Sequence, residues 1–198
     1  MPTASNKQTI TIAGISIVSN ITKTADGQIA QEVTLPAGTA GTLDTRTDDD
    51  TGVVGATGHP LSTSDVVDVF WSGGYRYGMT ATVSGDNVTI DGGSGDNLPI
   101  ATTAVVITKR VAINCDFDGD DVEAIAMVCD QRASVDFEDS GDASLEAVEL
   151  TADQAWDWYA DTGVTNPLTG NAVDEIQASN GTTTAATLKI GVLYDSTS

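Results

Sequence analysis

The stretch VVDVFWSGGYRYGMTATVSGDNVTI, residues 66–90, decides the fold. Val66–Trp71 is a short apolar run, Ser72-Gly73-Gly74 is a turn, and Tyr75–Val83 alternates polar with apolar residues. A second turn at Ser84-Gly85-Asp86 leads into Asn87–Ile90. Two-residue periodicity punctuated by glycine is the pattern of short antiparallel strands. The same rhythm extends outward to Gly41–Thr47, Thr51–Ala56 and Ala104–Lys109. The turns there are Asp48-Asp49-Asp50, Gly58-His59-Pro60 and Asp91–Asn97, the last closed by Leu98-Pro99. Six strands in about 70 residues predict a small closed barrel over residues 40–108, since closure removes the edges so short a sheet would expose.

On either side the strands lengthen. Residues 8–18 alternate around Ile10, Ile12, Ile15 and Ile17 with a bend expected at Gly14, and Ile29–Leu35 follows the Asp26-Gly27 turn. These two segments read as a hairpin of a larger sheet. After Arg110 come Val111–Phe117, Val122–Cys129, Ser134–Phe137, Ala147–Thr151, Val173–Ala178 and Leu188–Tyr194, the last two expected as a hairpin around Asn180-Gly181. One helix is expected over Thr151–Ala160, with Thr151 and Gln154 as a capping box and Gly163 as the stop. The predicted fold is therefore mainly β. Residues 1–38 and 109–198 form a jelly-roll-like β-sandwich, residues 40–108 an inserted β-barrel, and the one short helix a lid. Insertion needs neighbouring ends, and Leu35–Gly38 and Lys109-Arg110 both join strands, which lie about 5 Å apart when paired. Two sequential domains divided near residue 109 are the alternative.

The 198 residues include 29 acids against 8 bases, a formal charge of -21. A phosphate backbone meets net repulsion here, so no nucleic-acid partner is expected. About half of the acids fall between residues 114 and 161, where Arg132 is the one base, and this block reads as a solvated face. Met1-Pro2-Thr3 opens no basic and apolar leader, and no run is long enough to span a bilayer, so synthesis in the cytoplasm and no membrane partner are expected. Cys115 and Cys129 form no disulfide framework or zinc spacing and read as small buried hydrophobes.

No catalytic constellation emerges. His59 is the one histidine and lies in a turn beside Pro60, and no nucleophile elbow, zinc-protease motif or phosphate loop is present. Trp71, Tyr75 and Tyr77, and separately Trp156, Trp158 and Tyr159, cluster in sequence as sugar platforms would, but their spacing suits core packing. The run Asp116, Asp118, Asp120 and Asp121 offers hard oxygen ligands for calcium. Its spacing fails the EF-hand pattern, with Gly119 at the fourth position and Met127 where the bidentate glutamate belongs, so a solvated turn is the competing reading. No other cofactor is expected.

Small size, acidity, a Thr/Gly/Val-rich texture and the segments Gly41–Thr47 and Val69–Gly78 resemble the structural proteins of tailed phages, including capsid cement and decoration proteins. That resemblance implies a non-catalytic virion protein on an assembled shell, partnered by the major capsid protein or other virion subunits, and homo-oligomeric, with a trimer favoured. It also implies that the polar segment Met1–Lys7 orders on a partner. A tail or baseplate component, or a host-carbohydrate adhesion module, is the alternative. A polysaccharide-cleaving enzyme would need two carboxylates facing each other across a groove.

Overall fold

A computed structural model describes residues 9–12, 15–18, 27–93, 98–160 and 164–195, the first two segments as backbone only. Six strands close into a barrel: β4 (Thr39–Arg46), β5 (Thr51–Gly55), β6 (Val66–Trp71), β7 (Gly74–Ser84), β8 (Asn87–Asp91) and β9 (Ala104–Lys109). Their order around it is β4-β5-β8-β7-β6-β9, with β9 returning to β4. Alternation packs the interior, where Leu43, Val54, Val67, Val69, Met79, Ala81, Val88, Ile90 and Ile107 are buried. The β7–β8 reversal uses two residues between Ser84 and Asn87, with Gly85 at φ 62, the positive value a hairpin turn with glycine at its first central position requires.

The remaining strands are β1 (Thr9–Ile12), β2 (Ile15–Val18), β3 (Gly27–Leu35), β10 (Val111–Asp118), β11 (Val122–Cys129), β12 (Ala133–Glu138), β13 (Ser144–Leu150), β14 (Trp156–Tyr159), β15 (Ala172–Asn180) and β16 (Ala186–Tyr194). Eight of them make two four-stranded sheets, β14-β11-β16-β3 and β10-β15-β12-β13. Numbered 1 to 8 along the chain from β3, these orders are 6-3-8-1 and 2-7-4-5, the strand order of a jelly roll. Leu35, Ile125, Met127, Cys129, Leu188, Ile190 and Val192 of the first sheet meet Ile113, Phe117, Val135, Phe137, Val148, Leu150 and Ile176 of the second in one core. In the chain, the barrel strands lie between β3 and β10.

Three local expectations are corrected. The segment Thr151–Ala160 is not helical: Trp156–Tyr159 is strand β14, paired to the edge of β11. Asp153 takes a left-handed φ of 58 that stops a helix, and Gln154 N–H donates to Thr151 O in a plain turn. Two tryptophans and a tyrosine within four residues suit a strand, with Trp158 buried and Asp157 exposed. The one helical element among the described residues is the 3₁₀ turn Gly119–Asp121.

Leu188–Tyr194 does not pair with Val173–Ala178. β15 lies between β10 and β12, β16 lies between β11 and β3, and residues 181–185 carry the chain from one sheet to the other. Asn180 shapes that crossing by donating to Pro36 O and Thr184 O and accepting from Thr182 N. Within the segment expected as one strand, β1 and β2 pair antiparallel with each other, Ile10 opposite Ile17 and Ile12 opposite Ile15, and β3 pairs with β16 instead. Gly14, Asp26, Gly163 and the arm Met1–Lys7 lie outside the described residues.

Candidate functional site at the barrel and sandwich junction

Strands β6 and β12 carry buried residues on both faces, and they position the site. In β6, Val67 and Val69 point into the barrel, yet Asp68 and Phe70 on the other face are buried too. In β12, Ala133, Val135 and Phe137 enter the sandwich core, while Ser134, Asp136 and Glu138 are equally covered. The covered outer faces meet at the junction of barrel and sandwich. Arg110, the single residue between β9 and β10, lies there.

The Arg110 guanidinium donates to Asp136 Oδ2 at 2.6 Å and to Glu138 Oε1, and its Nε is 3.2 Å from Asp68 Oδ1. Asp68 also accepts from Ser179 Oγ (2.5 Å) and Gly78 N (2.9 Å), and Asp136 accepts from Ser144 Oγ (2.6 Å). One buried cation thus faces three buried carboxylates. Burial pushes the Asp68 carboxyl above its ordinary range, with Arg110 opposing. Burial likewise raises Glu138 to about 7, opposed by Arg110 and reinforced by Asp136.

Above the cluster opens a cavity of about 560 Å³ whose wall includes Arg76, Tyr77, Asp136, Glu138, Asp142 and Glu175. Arg76 donates to Gly92 O at 3.0 Å. Glu138, Asp142 and Glu175 bring carboxylate oxygens within 4.8 Å of one another, the one such trio among the described residues. Glu138 is already engaged by Arg110, so this trio is not a free set of ligands.

A second arginine grips the barrel from the sandwich. Arg132, between β11 and β12, donates to Trp71 O (2.6 Å) and Gly74 O (2.9 Å) at the β6–β7 turn. It also pairs with Glu149 and lies 5.3 Å from the centre of the Phe70 ring. Phe70 is pressed against Gly181, where a Cβ would come 2.7 Å from the ring, so no larger residue fits without displacing it.

The calcium candidates lie elsewhere and do not converge. Asp116 is exposed on β10, Asp118 caps the 3₁₀ turn by accepting from Asp120 N at 2.9 Å, and Asp120 accepts from Gly170 N at 2.7 Å. Asp121 supplies its carbonyl to Asp195 N. His59 is a structural pin: its Nδ1 accepts from Leu61 N, leaving Nε2 to donate to Gly85 O. Burial raises both thiols, Cys115 to about 12, which leaves little reactive thiolate at neutral pH. Tyr75 stacks on Phe70 at 5.7 Å and against Tyr77 at 5.9 Å, and Trp156 packs on the sandwich core. The large apolar side chains that stand exposed among the described residues are Val66, Ile100 and Val164, none aromatic.

Sequence reading placed Asp136 and Glu138 on a solvated face and gave Asp68 and Arg110 no role. A clue was present in Val66–Trp71, where a lone aspartate interrupts apolar residues that would line both faces of a strand.

The class the geometry defines is a jelly roll carrying a closed six-stranded barrel, the two joined by buried arginine contacts. Comparison with family models, with curated proteins and with solved structures finds no match for this chain.

Proposed function

We propose that this chain is a non-catalytic structural subunit of a larger particle, acting through the shape of its surfaces. The observation carrying that reading is how the chain uses its reactive types of side chain. His59 pins a turn, both thiols are held protonated by burial, and the charges clustered on Arg110 are committed to joining barrel and sandwich. Such a body presents a fixed outline at low conformational cost, which a stoichiometric binder needs. Jelly rolls occur in viral capsid and lectin domains among others, so the architecture is compatible with the role without specifying it.

The particle that the sequence texture favours is a tailed-phage virion. There the chain would cement or decorate the capsid as a homo-oligomer in contact with the major capsid protein. A tail or baseplate position remains the alternative within the same class. The host-carbohydrate alternative receives less support, since each described Trp and Tyr is buried or half-buried and Tyr77 is the one that lines the cavity. Quantitative mass spectrometry and cryo-EM of purified particles from the parent phage test the proposal. A fixed copy number at symmetric positions is expected, and a chain found only free in the lysate overturns it.

A second reading rests on Glu138. A carboxyl raised to about 7 beside other carboxylates in a polar cavity is what a general acid looks like. That reading predicts glycoside turnover that disappears in Glu138→Gln. The structural reading predicts no turnover by either protein.

A further inference from the structure

The jelly roll has four strand edges that pair with nothing among the described residues: β3, β14, β10 and β13. Exposed edges invite pairing with other chains, and proteins blunt them with short strands, bulges or charges. Three of these four carry such a device. β14 is four residues long, β10 breaks register between Asn114 and Phe117, and β13 carries Glu146 and Glu149 beside a register shift at Phe137/Glu138. β3 carries none. It runs nine residues in unbroken register with β16, has no proline, and holds one charged residue, Glu32, in a chain of 29 acids. The β1 backbone approaches β16 and β3 without pairing with either.

We propose that β3 is a self-association edge, pairing antiparallel with β3 of a second copy about a two-fold axis at Gln31. A second copy is the occupant because the strand is complementary to itself in one register. With Gln31 opposite Gln31, Ile29 falls opposite Val33 and Gln28 opposite Thr34 of the other copy. All nine residues gain a partner. Ile29 and Val33 already pack against the sandwich core, so their pairing carries an apolar layer across the axis. Glu32 falls opposite Ala30, away from its counterpart. Moving the axis to Glu32 would set two glutamates face to face, and a half-step to either side would turn one sandwich to the opposite side of the joined sheet. For a protein of charge -21, this is also the edge where like charges are sparsest. The inference stands apart from the virion reading and predicts a two-fold contact where the phage resemblance implied a trimer.

The test uses the full chain. Sedimentation equilibrium of the native protein is expected to show a dimer. Gln31→Lys, which sets two ammonium groups opposite each other at an exposed site, should shift it to monomer while the far-ultraviolet circular dichroism spectrum of the native fold is retained. Mixing Gln31→Lys with Gln31→Glu should restore a dimer. Under mild oxidation Gln31→Cys should form a disulfide-linked dimer, whereas Thr34→Cys, far from its counterpart, should not; the native protein, with Cys129 buried and Cys115 half-buried, gives the background of its own thiols. A native protein that stays monomeric in concentrated solution, a trimer insensitive to Gln31→Lys, or equal cross-linking at residues 31 and 34 overturns the proposal. None of these outcomes depends on whether the chain is found in a virion.

Discussion

Arg110 is the residue on which the junction depends, because among the described residues it is the one cation paired with Asp68, Asp136 and Glu138. Removing one partner of a buried ion pair typically costs about 3–5 kcal/mol, since the charge left behind has neither water nor counterion. Arg110→Met should therefore lower the urea unfolding free energy by about that amount, a loss read from the shift in midpoint at constant slope. The same cluster sets a pH dependence. Glu138 keeps its proton up to about pH 7 in the folded protein, against an ordinary value of 4.5 in the unfolded chain. Between those values the folded state binds the additional proton, so this contribution is complete below about pH 4.5 and is lost as the pH rises through 7. Asp68, also raised, acts in the same direction. Melting temperature should fall across that interval in the native protein and fall less in Glu138→Gln. A flat native profile would refute the assignment.

Among the elements, the barrel strands were legible because each is short, alternating and bounded by glycine or aspartate turns. Val66–Trp71 and Ala104–Lys109 coincide with β6 and β9. β14 was not legible: Thr151 and Gln154 carry a capping pattern whose local preference is overridden by the bare edge of β11, where aromatic residues gain more by packing than by coiling. Nor was the partner of β16, since strand order is set by long-range pairing that adjacent turn residues do not encode. The site was hidden for a related reason. Alternation tells which residues leave one core, but not that a second module covers the face they turn to. Arg132 joins those modules at the β6–β7 turn, and a lysine cannot reproduce its fork across Trp71 O and Gly74 O. Arg132→Lys should speed amide exchange at Ser72–Tyr75 while leaving β11 and β16 protected; equal acceleration everywhere would assign Arg132 a global role instead.

For the whole molecule, connectivity matters more than any single contact. β16, the last of the described strands, lies between β11 and β3 and is the only partner β3 has among the described residues. A chain ending before Ala186 should lose the jelly roll, while the barrel strands, all paired among themselves, keep their dispersed amide resonances; loss of those resonances as well would show that the barrel depends on the sandwich. During synthesis the consequence is one of timing. Residues 39–109 can close on themselves as soon as they leave the ribosome, but the strand made just before them must wait until Ala186–Tyr194 has been translated. Until then both of its borders are open in a crowded cell, and the speed with which translation reaches Ala186–Tyr194 governs how much nascent protein escapes aggregation.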